Sequence, residues 1–391
     1  MSVHSPRNTV SSVLPKMLCL SAKDNSRVND AARVPMIRTL SLKDYLCPEA
    51  RPHFLREMRE SLVEIGTFYI KDHGVPTQVT EGVMRTMRDY FALPLAEKKK
   101  MLIGNSRHFR GYKLMGEERT NNQVDHREQL QFGPEQSSNE DFMPSASPEY
   151  QGLKGPNQWP STTLALMPEF KTCILEYMRQ LETLSQHLME ALALSLNLEA
   201  TYFRDLFGET PYYRLKCAKY PSVQNAATVG CGAHKDTGFL TVLFQDMVSG
   251  LQGEDPVTGR WMDTRPVPET FIVTMGESIE KLTGGLYHAT VHRVLNNTSG
   301  QDRYSIPFFF DPTLEAEIPY CIPLVSHRGF GPSLSAMPVS DSSVDEDLES
   351  LVDRFDINDN GVHNKNWSNG KHIFETVQRC HPEVYSRWYN L

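Results

Sequence analysis

The sequence predicts a mixed α+β chain: a helix-and-strand N-terminal region, one long scaffold helix, and a β-rich part built as a sandwich or barrel. Three observations carry this. Apolar residues recur at helical spacing between Phe54 and Ile65. They do so again, over a longer span, between Phe170 and Leu192. Past Pro211 the pattern changes to short β-branched and aromatic runs separated by Gly, Pro and Asp. With 391 residues, 39% of them hydrophobic, the chain can bury one large core or two joined ones.

The elements follow in order. Residues 1–33 read as a disordered tail; their first 22 contain no Asp or Glu, which is also a trait of transit peptides. An N-terminal region spans 34–133. In it VPMIRTLSL is a short strand, PHFLREMRESLVEIG a helix, TFYIKDHGV a strand ended by Gly74, and TEGVMRTMRDYFALP a helix stopped at Pro94. Residues 134–165 are rich in Pro, Ser, Asn and Gly and read as a surface loop. The scaffold helix occupies 166–210, with Ile174, Tyr177, Leu181, Leu184, Leu188 and Leu192 on one face. The β-rich core, 211–325, holds YRLKCAKY, FLTVLFQ, LQGE, RWMDT, TFIVTMG, HATVHRVLNN and RYSIPFFF. Residues 326–391 carry an acidic, Ser-rich insert (337–365) and a closing helix. Within the insert, Asp356–Gly361 matches half of an EF-hand loop. Trp367 stands where the bidentate Glu belongs, so a solvated acidic loop is the better reading.

Charge and cysteines narrow the function. A net charge of −8 opposes a nucleic-acid or membrane-surface role, and no apolar run approaches the roughly 20 residues of a membrane span. The partner expected is a small molecule, bound by a monomer or weak oligomer. Seven scattered cysteines without a CxxC pair point to a reducing, cytoplasmic setting.

The chemistry centres on AHKDTGFLTV. His234 and Asp236 stand two apart at the mouth of an apolar run. On a strand, positions i and i+2 share a face, so both side chains can converge. Taken alone the pair also fits a polar strand edge. His292 follows 56 residues later on another strand-like run, far enough for the chain to go out and return. Two His and one carboxylate on one face of a metal leave the opposite positions open, which suits Fe(II) oxygen chemistry. Arg303 and Ser305 follow at i and i+2. The Arg fork grips a carboxylate, and a Ser hydroxyl can add to it. Cys231, three residues before His234, is more readily a small core residue than a thiolate ligand.

These residues resemble the iron- and 2-oxoglutarate-dependent oxygenases of the isopenicillin N synthase-like family, over roughly Val34 to Pro312. TFYIKDHGVP resembles the family's GFFYVVNHGI, YFALPLAEKKK its FFALPLEEK, FRGYK its RGY loop, and TGGLYHATVHRV its second-His stretch. The resemblance implies a double-stranded β-helix, or jelly roll. It implies His234, Asp236 and His292 as iron ligands, and Arg303 and Ser305 on the distal carboxylate of 2-oxoglutarate. KCAKY aligns with the family's RxNxY, so Tyr220 matches a Tyr that bonds 2-oxoglutarate. Lys216 stands where Arg is usual and Ala218 where Asn is usual. Lys216 can meet an acidic substrate or a structural carboxylate. The pocket lining is expected from the FRGYK loop, with Tyr112, and from the 134–160 loop and C-terminal segment.

Fe(II), 2-oxoglutarate and O₂ are thus the implied cofactors. The implied reaction oxidises a small organic molecule, in secondary metabolism, by hydroxylation, desaturation or ring formation, with no catalytic residue beyond the metal centre. The alternatives are a family oxidase that does without 2-oxoglutarate, a non-catalytic binding protein on the same fold, and a zinc hydrolase. His288 is expected in surface or turn packing, the alternative being a place behind the metal ligands, and His363, His372 and His381 are expected to face solvent.

Overall fold

Alternating apolar and polar residues pair the strands into sheets of eight and four. The computed structural model describes residues 36–121, 123–138, 147–223, 229–319 and 366–390, which fall in one unit, Met36–Leu391. In chain order the strands are β1 Thr39–Ser41, β2 Thr67–Lys71, β3 Gly111–Lys113, β4 Arg119–Thr120, β5 Gln123–Val124, β6 Glu128–Phe132 and β7 Tyr212–Tyr220. There follow β8 Cys231–His234, β9 Leu240–Gln245, β10 Leu251–Glu254, β11 Trp261–Asp263, β12 Phe271–Met275, β13 His292–Val294 and β14 Arg303–Asp311. The large sheet runs β1-β2-β12-β9-β14-β7-β6-β3 and the small one β11-β10-β13-β8, while β4 and β5 pair separately. The two sheets make the jelly-roll core.

Helices form at Arg51–Glu64, Thr77–Ala92 and Phe170–Ser195; the last stops well short of the expected 210, and a separate short helix, Arg204–Phe207, follows it. The long helix buries Ile174, Tyr177, Leu181, Leu184, Leu188 and Leu192 against the first two helices and β14. Each such side chain contributes about 1.5–3 kcal/mol on leaving water. This layer covers the outer face of the large sheet, so its inner face is free to carry polar side chains.

Several expectations change. The strand expected over HATVHRVLNN contracts to His292–Val294, because its first residues bond to the N-terminal region instead: His288 N–H donates to Leu62 O and Thr290 Oγ1 to Ile65 O. The loop after residue 134 is not all surface. It contains a turn, Glu149–Leu153, whose Leu153 is fully buried, and a helix, Ser161–Leu166. The closing helix is two, Asn369–Cys380 and Pro382–Trp388, since Pro382 has no N–H to continue the first. These helices pack Ile373, Phe374, Val377 and Tyr389 on Phe109, Leu153 and Tyr212. That packing corrects two histidines expected in solvent: His381 is 1% exposed and His372 is half-buried. The N-terminal tail, the acidic insert with its EF-hand-like stretch, and His363 lie outside the described residues.

Candidate functional site

The site is built where β8 and β13 meet. Antiparallel pairing sets His292 directly opposite His234. Asp236 lies just beyond β8 rather than on it, so a turn brings it back. That turn is fixed by Glu277 N–H donating to Asp236 O at 2.8 Å, and by Thr241 Oγ1 donating to Asp236 Oδ2 at 2.6 Å. His234 Nε2 and His292 Nε2 each lie 3.8 Å from Asp236 Oδ1. One donor atom from each residue falls within 4.8 Å of the others.

The donor set fits a divalent metal. His234 Nδ1 lies 2.8 Å from Gly232 O and His292 Nδ1 3.0 Å from Thr290 O. A carbonyl only accepts, so each Nδ1 carries the proton and each Nε2 turns its lone pair inward. Burial, reinforced by His234, lowers the His292 pKa. Burial raises Asp236, but the two imidazoles and Thr241 outweigh it and hold the carboxyl below its usual range. Cys231 is buried and its thiol is pushed up to about 11, so it stays protonated and outside the cluster.

A cavity of about 100 Å³ opens beside the cluster, between the two sheets, and Tyr220 and Ser305 border it. β14 sets Arg303 opposite Tyr220 of β7 and Ser305 opposite Gln245 of β9. Arg303 is fully buried. Its Nε donates to Val248 O at 3.1 Å and its Nη2 to Gln245 Oε1 at 2.7 Å, with the guanidinium 5.1 Å from the Tyr220 ring centre. Nη1 has no partner among the described residues. A buried guanidinium with an open N–H calls for an anion.

Lys216 borders the cavity and reaches Glu118 Oε1 at 3.1 Å. Tyr112 does not border it. Its hydroxyl donates to Glu128 Oε2 at 2.6 Å and it is 1% exposed. The cause is strand alternation: Tyr112 pairs with the core residue Leu130, and its neighbour Lys113 takes the other face. Lys113 is consumed by the C-terminal helices, donating to Cys380 O. His288 lies off the strand, 4.0 Å from Glu280.

The sequence reading passed over Arg127, Glu118, Asp125 and Thr241. Arg127 donates to Tyr220 Oη at 3.3 Å and pairs with Glu118 and Asp125. For Asp125 and Arg127 a signal was present in DHREQLQF, where Asp125, Arg127, Gln129 and Gln131 recur at every second position and so share one polar face.

Two family models match the chain. The N-terminal model of non-haem dioxygenases in morphine synthesis covers residues 34–162, and that of the 2OG-Fe(II) oxygenase superfamily covers 211–312. Among curated relatives, a 1-aminocyclopropane-1-carboxylate oxidase of Dictyostelium mucoroides is 33% identical over 298 residues, 68% of this chain and 79% of its own. A 2-oxoglutarate-dependent dioxygenase of Dothideomycetidae sp. is 35% identical over 279 residues, 68% of this chain and 73% of its own. Among solved structures, a Neurospora crassa protein in complex with alpha-KG and thymine superposes with a TM-score of 0.68 at 22% identity. It covers 88% of this chain and 96% of its own, and supports the fold.

Proposed function

The chain belongs to the 2OG-Fe(II) oxygenase superfamily and is an Fe(II)- and 2-oxoglutarate-dependent dioxygenase of small molecules; from this we propose that His234, Asp236 and His292 hold its iron, and that Arg303, Ser305 and Tyr220 hold its cosubstrate. The observation that carries the cosubstrate assignment is the buried, unpartnered Nη1 of Arg303 beside Ser305.

The metal, when bound, supplies the redox chemistry that couples oxidation of 2-oxoglutarate to succinate and CO₂ with oxidation of a substrate C–H by O₂. The protein supplies order. The Gly232 and Thr290 carbonyls fix which imidazole nitrogen faces the centre. Thr241 ties up one oxygen of Asp236 and leaves the other. Three protein ligands leave positions for cosubstrate and O₂. The Arg303 Nη1–H and the Ser305 hydroxyl orient a carboxylate. Arg127 donates to the Tyr220 oxygen, so the phenol proton is free to point into the cavity. Phe309, Pro307, Leu243 and Ile272 make the cavity wall apolar, which shields it from bulk water.

No helix among the described residues is long and apolar enough to cross a membrane. A cytoplasmic setting and a biosynthetic small-molecule substrate are our reading; free Cys47, Cys173, Cys217, Cys231 and Cys380 support the first.

The test is anaerobic loading with Fe(II) and 2-oxoglutarate, watching for the weak visible band of a chelated keto acid. We expect the band in the wild type and its loss in His234→Ala and in Arg303→Ala. Iron binding with no band would overturn the cosubstrate assignment. Succinate release matched one to one with product separates this enzyme from a family oxidase that dispenses with 2-oxoglutarate.

A further inference from the structure

One end of the cavity carries two cations, Arg127, which also orients Tyr220, and Lys216. Arg127, from the stretch before β6, and Lys216, on β7, both border it. Arg127 Nη2 lies 3.2 Å from Glu118 Oε1 and 2.9 Å from Asp125 Oδ2. Its Nε, buried, has no partner among the described residues. Among the described residues Lys216 Nζ donates to Glu118 Oε1 alone, at 3.1 Å, which uses one of its three N–H groups. The side chains of Arg127 and Lys216 are 10% and 13% exposed. Glu118 is 3% exposed, lies behind both cations, and gives its second oxygen to Gln129. A ligand at this end therefore meets donors whose positive charge is already balanced by two carboxylates.

We propose that this end is the substrate subsite and that it takes a neutral acceptor, the carbonyl oxygen of an amide, imide or lactam, in preference to a carboxylate. The proposal rests on the iron and 2-oxoglutarate reading and adds which substrate group is recognised. Open donors require an acceptor, and charge decides which kind. Burial would raise Glu118, but Lys216 and Arg127 overcome it and keep the carboxylate ionised. Two cations against Glu118 and Asp125 make the end neutral. A carbonyl leaves it neutral while using the open N–H groups. A carboxylate adds one uncompensated buried charge, which costs more than the new hydrogen bonds return. Pro307 and Phe309, on neighbouring β14, give the rest of the molecule an apolar wall.

The protein loaded anaerobically with Fe(II) and 2-oxoglutarate is titrated with pairs that share a skeleton: benzamide and benzoate, nicotinamide and nicotinate. Perturbation of the keto-acid band reports occupancy beside the centre. The neutral member of each pair should bind at least about tenfold tighter, the effect of one charge-assisted hydrogen bond against a desolvation penalty. Lys216→Met should weaken the neutral members at least about tenfold, by removing their donor, without making the carboxylates bind any better, and Lys216→Arg should keep most of the affinity. Tighter binding of the carboxylates, neutral-probe affinity unchanged in Lys216→Met, or no binding of any neutral probe overturns the subsite. The band before any probe is added reports separately on the centre. If the wild type gives none, the iron and cosubstrate reading fails, and the same pairs are compared by shift in melting temperature, which needs no band.

Discussion

The two oxygens of Asp236 have different work, and Thr241 is what separates them. With Oδ2 held at 2.6 Å, Oδ1 is the one left facing both imidazoles. Thr241→Val keeps the shape and deletes the hydroxyl, so the carboxylate can rotate. Affinity for Fe(II), or for Co(II) as a spectroscopic stand-in, should fall about 10–100-fold, while Thr241→Ser restores most of it. Metal titration with both variants checks this; equal affinity in Thr241→Val would remove the hydroxyl from the account. The three metal-facing residues were legible because type and spacing alone name them. Thr241 was not: a Thr on a strand is ordinary, and only the turn after β8 aims it at Asp236. Tyr112 misled for the opposite reason. A Tyr in the FRGYK loop looks like a pocket residue until strand parity turns it to Glu128.

Among the elements, the two C-terminal helices and the stretch before β3 that holds His108 carry pH sensitivity. Burial lowers His381 and His108 to about 4 from an ordinary 6.5, and His372 likewise. Between pH 6.5 and 4 the unfolded chain takes up protons that the folded chain refuses. Stability is therefore full above 6.5 and declines as pH falls toward 4. His381 alone accounts for up to about 3 kcal/mol of this. Urea midpoints measured across that window should drop with acidity, and His381→Gln should flatten the curve without abolishing it. A curve identical in wild type and variant would place the sensitivity elsewhere. The turn between β8 and β9 is equally exacting. Gly276 packs so closely on the Gly238 carbonyl that a Cβ would collide with backbone. Gly276→Ala should lower metal affinity and melting temperature together, since the same turn carries Asp236. Periodicity announced the helices, but not that His381 lies beneath them, because burial from a distant layer leaves no local trace.

For the whole molecule, centre and fold should stabilise each other. A ligand that binds only the folded chain adds about 2.7 kcal/mol at a hundred times its Kd. Iron and 2-oxoglutarate should therefore raise the melting temperature together, and a chelator should reverse the gain; a melting temperature indifferent to both would mean that the cluster binds neither. The β-rich half was readable from its turn signals. Its sharing of one sheet with the N-terminal region was not, because pairing partners so far apart in sequence leave no periodic mark.

That shared sheet governs how the protein can be made. β2 lies between β1 and β12, and Thr67 bonds to Thr274, 207 residues further on. As the chain leaves the ribosome, Phe68 and Ile70 must wait for most of the remaining protein before their strand gains its second neighbour. Through that interval an apolar strand edge stands open, the kind of surface that other chains can join. Yield on expression should thus depend on synthesis rate and chaperone supply more than on final stability, and a fragment holding all three metal-facing residues but lacking β1 and β2 would start life with β12 as a bare edge.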